Sequence, residues 1–404
     1  MRDVVIVEAC RTAVGSFGGT LKPLTAGDLG TAIIKGVVER SGIDPSAIDE
    51  IVLGHCRQSS DFSNTARWCA LNAGIPVSVP ASTVMIACAS AMMAVNNGVN
   101  SIMTGQNDIV LAGGVESMTN AYFYVPNARW GVGTGTTQFK DCLTEAQFNS
   151  QPVDIYGSFN MGLTAENIAE QMGISREDQD AFSLVSQQRA AAAISSGRFK
   201  DEIIPISVPQ GRKKDPKIFD TDEFPHIDTS AEQLAKLKPA FKSDGTVTAG
   251  SSSGRNDGAA AVLLMSEEKA KELGMKPLVK IRSMASAGVD PRVMGFGPVP
   301  ATKKALKLAG MTLDQMELIE LNEAFAAQSL GCIRELGLEN RMDIINVNGG
   351  AIALGHPIGA SGCRIMVTLI HEMKKRGLKY GLATLCIAGG MGMAAVLEAS
   401  TTDN

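Results

Sequence analysis

Two glycine-rich runs near the C-terminus each enclose one reactive side chain. The first is Asn348-Gly349-Gly350-Ala351-Ile352-Ala353-Leu354-Gly355-His356-Pro357-Ile358-Gly359-Ala360-Ser361-Gly362, the second Cys386-Ile387-Ala388-Gly389-Gly390-Met391-Gly392. Far upstream, Cys88 stands in Ala87-Cys88-Ala89-Ser90-Ala91, between a strand-like run over 80–86 and an apolar-spaced helix over 90–99. A thiol at such a junction faces the positive end of the helix, which is expected to lower its pKa and favour the thiolate. A free cysteine among apolar residues is more often an inert hydrophobe, so Cys88 alone carries little.

His356 shifts that balance. It is one of only four histidines, Pro357 biases it away from helical backbone, and a second loop-to-helix junction follows at Gly359-Ala360-Ser361-Gly362. Two such loops face to face would bring an imidazole to a thiol that is only a few per cent ionised at neutral pH, and so needs a base. Cys386 ends the apolar strand Leu382-Ala383-Thr384-Leu385. Glycines 389, 390 and 392 beyond it let backbone and ligand approach closely and can aim amides at an oxyanion. His226 and His371 are less informative, the latter in an amphipathic stretch beside lysines.

The elements that must carry these residues occur twice. Residues 41–53, Ser-Gly-Ile-Asp through Ile-Val-Leu, lie on 309–321 without a gap. In each, a helix ends at a glycine, a polar turn follows, and a strand opens with an acidic residue. The preceding stretches, 29–39 and 301–308, have helical apolar spacing. More loosely, Asp108 to Gly114 matches 381–390, a buried strand entering a Gly-Gly turn. Two similar α/β halves are expected. Between them, 120–252 reads differently: helices over 164–172 and 176–196, the latter entered through Ser175, among long polar loops of the kind that form lids or binding sites.

Bulk composition is compatible with this. A chain of 404 residues exceeds what one core sustains. With 45% hydrophobic and 20% charged residues it is globular. A net charge of −5, with only the short clusters Arg212-Lys213-Lys214 and Lys374-Lys375-Arg376, argues against nucleic acid as partner. Eight scattered cysteines without a CxxC pair suggest reduced thiols, not a disulfide framework or metal module. Strand-like sequence starting at Val4 leaves no visible signal peptide, and no apolar run is long enough to span a membrane. A cytoplasmic protein without a metal module is expected.

Cys88, Asn322-Glu323-Ala324-Phe325, the His356 run and the Cys386 run together resemble the signature set of the thiolases, from Glu8-Ala9-Cys10-Arg11-Thr12 to the last glycines. The resemblance implies a thiolase-like α/β fold of two βαβ-type halves with layered mixed sheets and helices. It also implies an N-terminal half over 1–120, completed by about 252–275, an inserted loop domain over 121–251 that covers coenzyme A, and a C-terminal half over 276–404. It implies an acyltransferase of fatty-acid metabolism that condenses acyl-CoA thioesters or cleaves 3-ketoacyl-CoA, with coenzyme A thioesters as substrates and no permanently bound cofactor. In these roles Cys88 accepts the acyl group, His356 activates it, and Cys386 moves the α-proton. Asn322, holding a water, joins His356 in one oxyanion hole; the N–H groups of Cys88 and Ala388 form the other.

Ser253, in Thr248 to Gly258, matches the pantetheine-contacting segment, and Asn160, Met161, His226, Met294 and Phe325 fall at substrate-contacting positions. Ala388 and Ala91 stand where the family has glycine, Asn160 where short-chain members often have histidine, and His226 where an arginine is common. Retention of Met161 points to a short acyl chain. Homodimers or homotetramers are implied, with 68–74 suited to a two-fold interface. Ketoacyl synthases share a nucleophilic cysteine but generally decarboxylate with two histidines or a His/Asn pair, whereas one histidine and a second cysteine stand here. A non-catalytic acyl-CoA or lipid binder would have no use for all four polar positions, nor a Cys/His hydrolase for Cys386.

Overall fold

The computed structural model describes residues 2–211 and 214–400; Arg212 and Lys213 of one basic cluster lie outside the described residues. Strands β1 (Val4–Thr12), β2 (Glu50–Gly54), β3 (Ala81–Val84) and β4 (Ile109–Ser117) alternate with helices α1 (Ala26–Ser41), α2 (Thr65–Asn72) and α3 (Ser90–Met103). After an excursion containing α4 (Met161–Met172) and α5 (Arg176–Ser195), β5 (Asn256–Ser266) returns to the sheet. Then come β6 (Val279–Gly288), α6 (Pro298–Ala309), β7 (Leu318–Leu321), α7 (Ala326–Leu336), α8 (Ser361–Arg376), β8 (Tyr380–Ile387) and β9 (Met391–Ala399).

Across the sheet the strand order is β7-β8-β9-β6-β1-β5-β4-β2-β3. Read outward from the β1/β6 seam, both halves have one pattern. β1-β5-β4 and β6-β9-β8 are antiparallel neighbours, and β2 on β4 and β7 on β8 are parallel. The two sequence matches correspond to equivalent elements: α1–β2 with α6–β7, and β4 with β8. Each helix of the first match stops at a left-handed glycine, Gly42 at φ 67° and Gly310 at φ 66°, where a side chain would be strained. The capping box at Thr25 and Asp28 and the one at Ser175 and Asp178 start α1 and α5.

Because strand side chains alternate, each strand buries one set of residues on each face. One set, including Ile6, Val110, Leu264, Leu385 and Leu397, shares a cluster with α3 and α8; the opposite sets pack under α1 and α2 or under α6 and α7. The helices α3 and α8 thus lie together at the centre. A Cβ on Gly362 would come within 2.7 Å of Met92 Cβ, so the glycine permits that contact. Arg11 anchors the excursion: fully buried, it donates to Glu202 at 2.7 Å and to both oxygens of Asp222 at 2.7 and 2.9 Å. Among the described residues no helix is long and apolar enough to cross a membrane.

Candidate active site

Cys88 lies between β3 and α3, just after Ala87, whose φ of 45° is rare for a residue with a Cβ. That backbone is held in place by hydrogen bonds. The Ala87 carbonyl accepts from Ser90 Oγ at 2.7 Å, Ser90 N at 3.1 Å and the Cys56 thiol at 2.9 Å, and Ser90 Oγ accepts from Ile86 N at 2.9 Å. The expected depression of the Cys88 pKa is not what the structure gives. Burial pushes the thiol above its ordinary value, against a hydrogen bond from the Ala388 backbone N–H and the field of Arg57. Desolvation outweighs the helix end, and Cys88 rests as a thiol.

His356 is shaped to receive a proton. Its backbone N donates to Asn256 Oδ1 at 2.9 Å, and its Nδ1 lies 2.7 Å from Ser361 Oγ, which donates to the Pro357 carbonyl at 2.9 Å. With the Ser361 proton so committed, Nδ1–H is the donor and Nε2 carries the lone pair. Nε2 is buried without a protein partner. Burial, with help from the Arg364 charge, lowers the His356 pKa from 6.5 to about 4, against the pull of Glu116. The ring is a neutral base at physiological pH.

Asn322 follows β7 and is anchored by its own N–H to the Thr384 carbonyl at 3.0 Å; neither amide atom of its buried side chain has a protein partner. Cys386, 1% exposed near the end of β8, has its thiol pushed well above the ordinary value by burial, then by the fields of Cys88 and Cys332. A charge on Cys88 therefore reaches Cys386. Beyond Cys386 the chain turns through Gly389 at φ 88° and Gly390 at φ 85°. A Cβ on Gly390 would sit 2.4 Å from the Val289 carbonyl. Ala388 keeps a negative φ, so alanine costs no backbone strain there.

One apolar cluster collects Cys386, Met294, Phe325 and Ala324 with Met161 against it, while Phe325 meets Phe241 edge to face at 5.8 Å. Asn160 caps α4, its Oδ1 accepting from Leu163 N at 3.0 Å. His226 is elsewhere: it is exposed, packs edge-on against Phe224, and lines a 560 Å³ cavity with Gln187, Leu234, Ala249 and Ser252. Ser253 begins next to that cavity, its N–H bonded to the Ala324 carbonyl at 2.9 Å, so the cavity and the reactive groups are linked through 252–253 and 324–325.

Sequence reasoning missed the residues that hold the reactive ones. Ser361 was within the quoted run, five residues after His356, and a hydroxyl at that distance was a usable signal. Glu323, 1% exposed, accepts from Ser186 Oγ at 2.7 Å, Asn346 Nδ2 at 2.8 Å and Ile352 N at 3.2 Å, tying the Asn322 turn to α5 and to the His356 run. His371, less informative in the sequence, lies on the buried side of α8 and is bonded through Nε2 to the Ala9 carbonyl at 2.8 Å.

Comparison with known proteins agrees with this geometry. Residues 4–268 match the model of the thiolase N-terminal domain and 275–399 that of the thiolase C-terminal domain. An acetyl-CoA acetyltransferase of Chromobacterium violaceum is 54% identical over 396 residues, covering 98% of this chain and 99% of that protein. One of Pseudomonas aeruginosa is 54% identical over 397 residues, with coverage of 98% and 99%. Among solved structures, the Bacillus anthracis acetyl-CoA acetyltransferase superposes with a TM-score of 0.95 at 45% identity, covering 99% of both chains. Human mitochondrial 3-ketoacyl-CoA thiolase does so with a TM-score of 0.93 at 42% identity, again over 99% of both. The chain belongs to the thiolase family, and with it to the acyltransferases: it is a coenzyme A-dependent thiolase.

Proposed function

We propose that this protein runs the reversible condensation of acetyl-CoA with an acyl-CoA, and its thiolytic reversal, through an acyl group carried on Cys88. The carrying observation is the buried, partnerless Nε2 of His356, held neutral, in a site whose cysteine is a thiol at rest. Nε2 takes the Cys88 proton as sulfur attacks the thioester carbon, then gives it to the departing coenzyme A sulfur. Cys386 first gives its thiol proton to the now neutral His356 Nε2; as a thiolate it takes an α-proton from the second acetyl thioester, the resulting carbanion attacks the acyl carbon, and the freed Cys88 sulfur takes the proton back from His356. Asn322 and the protonated His356 offer donors to one developing oxyanion, and the N–H groups of Cys88 and Ala388 to the other. Ser253 and the cavity beside His226 hold coenzyme A.

Met161, Met294 and Phe325 share one apolar cluster with Cys386, and with the acetyl-CoA acetyltransferase relatives this supports a short acyl chain. In a thiolysis assay with free coenzyme A, a C4 3-ketoacyl-CoA is expected to turn over faster than a C10 one; the reverse order would overturn the short-chain assignment.

We also assign a homo-oligomer, dimer or tetramer. β3 is the sheet's outer strand, and near it Trp68, Leu71, Val77 and Met85 are 37%, 44%, 80% and 60% exposed. An open edge flanked by apolar side chains calls for a partner. Light scattering at micromolar concentration is expected to give at least twice the chain mass of 42.4 kDa, and a stable monomer would refute the assignment. The eight cysteines are all free, which suits the reducing cytoplasm and a role there in fatty-acid metabolism.

A further inference from the structure

Glu116, at the end of β4, is fully buried and lies between the segments that carry the nucleophile and the base. Its Oε2 accepts from Cys56 N at 3.1 Å and Gly359 N at 2.9 Å, and its Oε1 from Arg57 N at 3.2 Å. His55 Nε2 lies 3.3 Å from Oε1, and its Nδ1 is 2.9 Å from Thr65 Oγ1. Burial raises this carboxyl, yet the His55 contact and its other donors more than offset that and hold it below the ordinary range. One carboxylate thus gathers donors from the loop after β2 and from the loop after His356.

Each of those loops leads to a reactive residue in one or two bonds. On one side, Cys56 gives its thiol hydrogen to the Ala87 carbonyl at 2.9 Å and stands 3.3 Å from Ser90 Oγ, the two groups that hold the strained turn before Cys88. On the other, Gly359 lies between Pro357 and Ser361, whose carbonyl and hydroxyl orient the imidazole. The fit leaves no slack: a Cβ on Gly359 would stand 2.4 Å from the Val115 carbonyl and 2.8 Å from Glu116 Oε2. The chemistry needs Cys88 sulfur and His356 Nε2 in register, and no direct bond from the turn at Ala87 to the loop after His356 supplies it among the described residues.

We propose that Glu116 is a positioning residue for the reaction: its carboxylate clamps the loop behind Cys88 to the loop behind His356 and so sets the apposition of thiol and base. The proposal rests on the roles of those two residues given above. Glutamine at 116 keeps the size, but its NH₂ faces the Cys56 and Gly359 N–H groups if it replaces Oε2 and the Arg57 N–H if it replaces Oε1, so the donor set is no longer satisfied and the clamp loosens. A misplacement of about 1 Å costs on the order of 100-fold in rate.

The test is E116Q. Transfer of acetyl from acetyl-CoA to Cys88, followed by rapid quench and intact mass, is expected to slow by about 100-fold. Alkylation of Cys88 by iodoacetamide should slow with it, while the KM for acetyl-CoA stays near the wild-type value, because its cavity is formed by other residues. A merely structural Glu116 would lower the thermal midpoint and leave the acetylation rate of the folded enzyme unchanged; that result overturns the proposal. Absence of acetyl on Cys88 in the wild type would instead sink the catalytic reading beneath it. Hydrogen exchange on the wild-type protein gives an answer even if E116Q does not fold. Segments bearing the amides of 56, 57 and 359 should be protected together, and fast exchange at any of them in the native protein would overturn the clamp.

Discussion

Cys88→Ala and Cys386→Ala are expected to fail at different steps. Without the Cys88 sulfur, incubation with acetyl-CoA should leave the intact mass unchanged, and condensation and thiolysis should both fall to background. Without the Cys386 sulfur, Cys88 and His356 remain, so the protein should gain one acetyl group, which peptide mapping places on Cys88. It should exchange acetyl between coenzyme A molecules but make and break no carbon–carbon bond. The expectation follows from the two thiols' settings. Cys88 has the Ala388 N–H at its sulfur and a base proposed in a neighbouring loop, whereas Cys386 sits at 1% exposure in an apolar cluster. Acetyl on Cys386 with Cys88 unmodified would exchange the roles, and a condensation-active enzyme that never carries acetyl would remove the covalent intermediate.

His356→Asn is expected to lower acetyl transfer by about 1,000-fold at neutral pH, the range a positioned general base supplies. It should also change the shape of the pH profile. In the wild type the imidazole is unprotonated down to about pH 4, so the base remains available as pH falls and transfer should hold nearly level between 6.5 and about 4 for as long as the protein stays folded. In the variant only the thiolate can attack, and burial holds the Cys88 pKa above its ordinary value, so the residual rate should climb with pH throughout. Stability moves in the same interval. Because the folded pKa lies below the 6.5 of the free side chain, the unfolded chain takes up the proton first as pH drops. The His356 contribution to stability is complete above 6.5 and is lost as pH falls toward 4; denaturant midpoints of the two proteins should converge on acidification. A wild-type profile that breaks near 6.5 would contradict the depressed pKa.

Much of this was legible in the chain because glycine and histidine leave sharp local marks. The left-handed stops at Gly42 and Gly310 gave the repeat, since the same turn needs the same residue twice. The Gly389-Gly390 turn marked the strand end at Cys386. Protonation states were not legible. A helix end next to Cys88 suggested a thiolate, but burial depends on what the rest of the chain packs above it, which no local pattern encodes. The same holds for Glu116, one acidic residue among 42. Its importance lies in meeting Cys56 and Gly359, and sequence separation hides both contacts. Arg11 was quoted only as part of an opening motif; its partners Glu202 and Asp222 lie in the insertion, where polar loops gave no sign of a buried ion-paired anchor.

The place of β5 in the sheet has a consequence for synthesis of the protein. This strand lies between β1 and β4, yet it is made only after the whole insertion, up to Ser266. Until it emerges from the ribosome, β1 has neither of its long antiparallel neighbours, because β6 follows later still. β1 must therefore wait, with its aliphatic faces uncovered, through the translation of more than half the chain. Closure over such sequence distances is slow, and nascent chains halted before residue 256 should be the ones that chaperones hold and proteases cut.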